Sequence, residues 1–388
     1  MSRCVTTRLT QSASPTIPSQ KIMAYGLSQM LQKQVLKPPF ARYNNSSTPG
    51  LNIEMQGGGR WMSVLLAYAL LAVFAALSGL NDGGNLLAVL SSSRILPVAV
   101  VIAEMGTCML AAPFLVGTRV AHTIGAGILP LPELSLPVVT AALVATLVTL
   151  AACYLSKVPT SITFALVGAM GGVGAVMLGM NRVHWASVGR VAGSLVMSVV
   201  LAGIAGYAAH FAARVLLGRV SARAGRAALW SEIATSACVC IGYGANDAEK
   251  TLGLLALVTG VSHHHGTFHV APWMVGFSTA AFLIGLCAGG WRVARTIQGH
   301  VFRIRPIHAV MNEFATAAVV IAASSLGGPV STTQALDSSL VGVGASAHAR
   351  RVRWRVVRKM AGVWLMTMPL AFLVGCVTGQ LFVWGGYR

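Results

Sequence analysis

A carboxylate and its flanking amides stand where hydrocarbon is expected. Residues 61–90 are apolar almost throughout, yet Gly79-Leu80-Asn81-Asp82-Gly83-Gly84-Asn85 interrupts them. An ionised carboxylate is costly at membrane depth, so such a residue is a site candidate by default. Gly79, Gly83 and Gly84 weaken a helix at that level and predict a break in it. Backbone freed there is tolerated only where it lines a cavity or packs on protein.

The same word returns in the second half. Gly244-Ala245-Asn246-Asp247-Ala248-Glu249-Lys250 follows another apolar run, with Asn246 placed 165 residues after Asn81. A second pair of words recurs 170 residues apart: Pro159-Thr160-Ser161-Ile162-Thr163-Phe164-Ala165-Leu166 and Pro329-Val330-Ser331-Thr332-Thr333-Gln334-Ala335-Leu336. Two polar words in the same order at nearly one offset mean two homologous halves. Interrupted hydrophobic segments at corresponding places point to the midplane site of a secondary transporter.

Composition agrees with a bilayer. The 388 residues are 55% hydrophobic and only 10% charged, against roughly 25% charged in soluble domains. The fold expected is all-α: a polytopic membrane protein of about 10–12 transmembrane or re-entrant helices in two inverted repeats. No strict alternation suggests a barrel. The divisions are an extension over 1–58, a first transmembrane repeat over 59–212, a basic loop over 213–229 and a second repeat over 230–388. The net charge of +19 sits in short loops between spans, which is a matter of topology and lipid contact rather than nucleic acid. Six of the seven cysteines lie in apolar segments and none forms a CxxC pair. They read as small buried hydrophobes, without a disulfide frame or zinc site.

Residues 1–58 are rich in Ser, Thr, Gln and Pro, and the first acid is Glu54. There is no apolar core of a secretory signal. The acid-poor, Arg- and Ser-containing start shares features with transit peptides. A disordered extension, or an over-long start with translation beginning at Met55 or Met62, accounts for it more simply.

Spans are expected over Trp61–Leu90 (broken at the polar word), Ile95–Val116 with Glu104, Pro137–Leu155 and Trp185–Phe211 in the first half. The Gly-rich piece Gly168–Gly179 is short enough for half a span or a re-entrant hairpin. Arg214, Arg219, Arg223 and Arg226 put the central loop in the cytoplasm. The second half repeats the plan, with the last span over Met360–Val383. Its loop Trp291–Pro306 carries Arg292, Arg295, Arg303 and Arg305, whereas the first-half counterpart has one Arg. The cluster Arg350, Arg351, Arg353, Arg355, Arg358, Lys359 likewise faces a counterpart with only Arg182 and Arg190. Equivalent loops of opposite bias mean inverted halves. His263, His264, His265 and His269 read as a solvated loop, with metal binding as the sharper alternative. Glu313, in the span Ile307–Leu326, is read as the counterpart of Glu104, and both as functional acids.

The Asn-Asp words flanked by glycine, and the Pro-x-Ser/Thr-x-Thr words that open helices, resemble the inorganic phosphate transporter (PiT) family. The resemblance runs from about 61 to 385 and includes Gly289-Gly290-Trp291-Arg292-Val293, Pro306 to Glu313 and Trp354-Arg355-Val356-Val357. It implies inverted halves, each with one Asn-Asp word and one hydroxyl-rich hairpin, with phosphate and a coupling cation bound where they meet. Members usually carry His after the hydroxyl run, where Phe164 and Gln334 stand here. Gly83-Gly84 replaces a more usual Val-Ala, and Asp337 is an extra acid.

On this reading Thr160, Ser161, Thr163, Ser331, Thr332 and Thr333, with the N–H groups of two opposed helix starts, bind the anion. Asn81, Asp82, Asn85, Asn246, Asp247, Glu104 and Glu313 serve the cation, Na⁺ or H⁺, and Lys250 lies on the substrate pathway. No cofactor is expected beyond the coupling ion. The partners are inorganic phosphate, the cation and the lipid bilayer, with a homodimer left open. The place is a cell (inner or plasma) membrane. Sulfate or another tetrahedral oxyanion is the alternative cargo, and an anion channel the alternative class. No nucleophile–base set or GxxxxGK[ST] loop supports an enzyme.

Overall fold

The computed structural model describes residues 58–92, 96–155, 160–217, 225–262, 268–290 and 305–387. The N-terminal extension, Lys157, Pro159, Arg219, Arg223, His263–His265 and the basic residues 292–303 lie outside the described residues. Among those described, every regular element is helical.

The first half begins with α1, which runs over Gly58–Ser78, a π-helical turn at Gly79–Gly83, and Gly84–Leu90. Then come α2 (Val98–Leu115), the short α3 (Arg119–Ala126), α4 (Leu136–Leu155), α5 (Ile162–Gly174, continued by a π turn over Ala175–Gly179) and α6 (Trp185–Leu217). The second half has α7, built as Gly225–Tyr243, a π turn over Gly244–Ala248, and Glu249–Ser262. It continues with α8 (Pro272–Gly285, ending in a π turn over Leu286–Gly290), α9 (Pro306–Ser325), α10 (Thr332–His348) and α11 (Trp354–Trp384).

Eight helices are long and apolar enough to cross a bilayer among the described residues. Two more, α7 and α10, take the places of α1 and α5 in the second half. Five of the eight precede α7, and an odd number of crossings returns the chain to the opposite side. The halves are therefore inverted.

Several expected boundaries move. The polar words do not break their helices: residues flanking both π turns keep right-handed helical dihedrals, so one extra residue per turn replaces an unwound stretch. The glycine-rich piece belongs to a longer apolar helix that begins at Ile162 and is ended by Gly179 at φ +106°. Helices take up residues 213–217 and 225–229 at both edges of the central loop. Arg355, Arg358 and Lys359 ride on the first turns of α11 rather than in a loop.

The halves exchange partners. α5 packs on α11, and α10 packs on α6, so each hydroxyl-bearing helix is cradled by the last helix of the other half. Without a hydrophobic drive between helices in lipid, close approach of small residues holds such pairs together. A Cβ on Gly172 would strike the Phe372 carbonyl, and one on Gly342 the Gly203 carbonyl. The π turn of α1 lies against α8, where a Cβ on Gly79 would meet the Phe282 carbonyl. That of α7 lies against α2, where Gly244 faces Met109 and Ala112. α5 is buried over its whole length from Ile162 to Gly174, whereas α6 and α11 turn Ile204, Tyr207, Leu370 and Leu373 outward.

Candidate functional site

The two π turns and the starts of α5 and α10 meet in one buried polar cluster. A π turn leaves the local i→i+4 ladder interrupted and redirects side chains, which is why such bulges recur at functional sites. Here it aims Asp82 and Asp247 inward, and both are buried.

Ser331 caps α10: its Oγ accepts from Gln334 N at 3.4 Å. Ser161 caps α5 identically through Phe164 N at 3.4 Å. The capped start of α10 then presents two neighbouring hydroxyls. Thr332 donates to Asp247 Oδ2 at 2.6 Å, and Thr333 donates to Asp82 Oδ1 at 2.6 Å. One helix start thus joins an acid from each half.

Asp247 is also paired with Lys250 Nζ at 2.6 Å, and both side chains are almost wholly enclosed. Breaking a buried pair by deleting one partner leaves an uncompensated charge. Asn81 donates to Asp82 Oδ1 at 3.0 Å and, at a long 3.5 Å, to the Thr160 carbonyl. Asn246 clamps the second word: its Nδ2 donates to Ser324 Oγ at 3.0 Å, and its Oδ1 accepts from Val330 N at 3.3 Å. Thr163 donates to the Val330 carbonyl at 3.1 Å, tying the two hydroxyl words together. The Thr160 hydroxyl shares a hydrogen bond with Thr367 of α11 at 3.2 Å.

Asn85 and Lys250 occupy equivalent places, three residues after their aspartates. Asn85 Nδ2 donates to Asp337 Oδ1 at 3.2 Å, on the third carboxylate of the cluster. Asp337 belongs in the site, and its signal, an acid inside an apolar helix, is legible in the sequence. Ser324 carries no such signal; only the fold brings it to Asn246. Gln334, at the position where a histidine is usual, is buried, and neither side-chain polar atom has a partner among the described residues.

Glu104 and Glu313 go elsewhere. By element order α2 corresponds to α8, and α9 to α4, so the two glutamates are not repeat counterparts. They nevertheless meet on one helix. Ser236 of α7 donates to both Glu104 oxygens at 2.8 and 2.9 Å, and Thr235 donates to Glu313 Oε2 at 2.7 Å. Ser236 lies eleven residues, or about 16 Å of helix, before Asp247. The structure therefore separates this pair from Asp82 and Asp247. Glu249 plays a different part again. Buried, it accepts from Val120 N and Ala121 N at 3.0 and 3.2 Å, capping the start of α3.

Two inverted, interleaved bundles with paired acids and capped helix starts at their meeting point define a secondary-transporter class of membrane protein. The model of the phosphate transporter family matches residues 78–231 and 219–375. A probable low-affinity inorganic phosphate transporter of Mycobacterium bovis is 31% identical over 336 residues, which is 84% of this chain and 80% of that protein. One so described in Rhizobium meliloti is 29% identical over 319 residues, 81% and 94% of the two chains. This chain belongs to the phosphate transporter family. A solved structure described as the sodium-dependent phosphate transporter shares the fold, with a TM-score of 0.71 at 20% identity, covering 83% of this chain and 99% of that one.

Proposed function

We propose that this chain carries inorganic phosphate across its membrane together with a cation, by alternating access. The carrying observation is the start of α10, where Thr332 and Thr333 hold one acid from each half. Hydroxyls and unpaired N–H groups at a helix start suit a tetrahedral oxyanion. Carboxylate and amide oxygens suit a hard cation. A cation on Asp82 or Asp247 removes the repulsion between these acids and the anion, and frees the threonine hydroxyls to turn toward phosphate. That exchange of hydrogen-bond partners is the coupling.

Asn81, Asn246 and Asn85 orient the acids, Lys250 balances Asp247, and Ser161 and Ser331 keep the two helix starts open by capping only one N–H each. Thr160 and Thr163 stiffen the meeting point from the first half. Glu104 of α2 and Glu313 of α9, which reach α7 at the adjacent residues Ser236 and Thr235, would serve the cation at a second station along that helix. Relatives described as phosphate transporters support the cargo, and the fold neighbour described as sodium-dependent supports a cation partner. Carriage alone accounts for the residues of the site, with no reaction chemistry added.

The test is uptake of labelled phosphate and of labelled sulfate into proteoliposomes under imposed Na⁺ or H⁺ gradients. Uphill phosphate uptake driven by one gradient, and abolished in Asp82→Asn, is the expected result. Equal uptake of both oxyanions, or uptake indifferent to either gradient, overturns the reading.

A further inference from the structure

The two halves differ at one place outside the polar cluster. α6 and α11 correspond position by position, because Gly172 meets the Phe372 carbonyl and Cys376 N while Gly342 meets the Gly203 carbonyl and Tyr207 N. By this register Phe372 of α11 matches Gly203 of α6, and Trp185 matches Trp354. In the first half, Phe372 fills the space beside its helix and packs on Trp185, ring centroids 6.0 Å apart. In the second half glycine stands in that place, and the space is open. It is a cavity of about 560 Å³ between α6, α10 and α11.

The walls are apolar: Ile204, Tyr207, Val341, Val357 and Trp364 contribute, with Asp337 and Ser338 at the floor. The outer rim belongs to the surface that α6 and α11 turn outward, with Val200, Ile204, Tyr207 and Trp354 exposed. Trp354 marks one end. Around it Arg350, Arg351, Arg353, Arg355, Arg358 and Lys359 are all exposed. On the facing helix Arg214 reaches the Ser346 carbonyl at 3.3 Å and lies over the Phe211 ring. Among the described residues the two ion pairs are Arg182–Glu133 and Lys250–Asp247, so no carboxylate of the described chain balances this basic rim.

We propose that this trough is a binding site for an anionic phospholipid of the surrounding bilayer, one acyl chain lying in the cavity and the headgroup on the basic rim. Charge complementarity selects the headgroup, since clustered Lys and Arg beside a membrane helix recognise anionic lipid. Volume selects the chain. A helix about 10 Å across would fill the cavity in roughly one turn, so the trough is too small for a partner helix, while it lies within the ~300–1,000 Å³ range of sites that enclose a flexible small molecule. The floor adds a consequence. Asp337 takes the hydrogen bond of Asn85, two residues past the π turn of α1, so an occupied trough bears on the helix that carries Asp82. Anionic lipid then raises the transport rate without contributing to the cargo site.

Native mass spectrometry of the full chain, after exchange into phosphatidylcholine or phosphatidylglycerol, reads binding independently of transport. The expected result is retention of one phosphatidylglycerol per chain, at least about tenfold in preference to phosphatidylcholine. Gly203→Phe places the first-half ring in the trough, and its Cβ has ordinary clearance, with Ser338 O 3.5 Å away. Both this variant and the triple Arg353→Gln, Arg355→Gln, Arg358→Gln are expected to lose that retention. In proteoliposomes, wild-type uptake should rise several-fold when about a quarter of the lipid is phosphatidylglycerol, and the triple variant should respond little. Equal retention of the two lipids by the wild type, or undiminished phosphatidylglycerol binding by the triple variant, overturns the proposal. So does crosslinking that places a second copy of the chain against Gly203. If phosphate is not the cargo, the retention result stands unaffected.

Discussion

The two hydroxyl-bearing helix starts are built alike and work unequally. Ser161 and Ser331 make the same cap at the same 3.4 Å, and each helix lies in the cradle of the opposite half. Beyond the cap the chemistry diverges. Thr332 has Ile162 as its counterpart, so the first half lacks the hydroxyl that holds Asp247. Thr333 has Thr163, which binds a carbonyl instead of a carboxylate. Lys250 has Asn85, and Asp337 has Val167. Each half therefore supplies one aspartate, and the second half alone adds Lys250, Asp337 and the threonines that hold both acids.

The comparison breaks first at Lys250, the buried cation of the site. Lys250→Met leaves Asp247 enclosed without a countercharge and is expected to cost about 3–5 kcal/mol of stability. Asn85→Met, at the equivalent place, should cost about 1–3 kcal/mol. Thermal unfolding in detergent measures both, and equal losses would erase the distinction between the halves.

Next in size is the loss of an acid without loss of shape. Asp82→Asn should lower phosphate uptake by about 100-fold while the protein still folds, and Asp247→Asn should lower it as much but also cost stability, because it leaves Lys250 buried without its countercharge. Normal accumulation by either variant would remove that acid from the coupling role. A smaller contrast sharpens the point. Thr332→Val removes a hydroxyl bonded to a charged group, worth ~1.5–3 kcal/mol, and should slow initial uptake about tenfold. Thr163→Val loses a bond to a neutral carbonyl and should slow it about threefold or less. If the two variants behave alike, the halves share the work.

The smallest effect tests what the halves have in common. Ser161→Ala and Ser331→Ala each delete one helix cap and should cost about 1 kcal/mol apiece. Matched shifts in melting temperature are the expected outcome, and a large mismatch would show that one cap also belongs to the transport chemistry.

Much of this was legible in the chain alone. The repeated words located Asp82, Asp247, Thr332 and Thr333, and opposite loop charges indicated inversion. Three things were not legible. Glycine beside a polar residue suggests a break, yet the same residues permit a π turn when neighbouring helices hold the backbone, as Phe282 and Met109 do here. Glu104 and Glu313 looked like counterparts because both are acids in apolar spans, but equivalence follows element order. Asp337 stood out as an acid, while its partner Asn85 lies 252 residues away.

Local composition and period were enough for the membrane class, the two halves, their inversion and the residues able to carry charge. They suffice because a bilayer penalises every polar group that lacks a reason to be there. Which residue meets which was a matter of packing between distant segments. Each hydroxyl helix sits in the other half's cradle, both aspartates answer to one helix start, and Glu104 and Glu313 stand apart from them. Those pairings depend on backbone approach at glycines such as Gly172 and Gly342, where the missing Cβ is felt only by a helix from elsewhere in the chain.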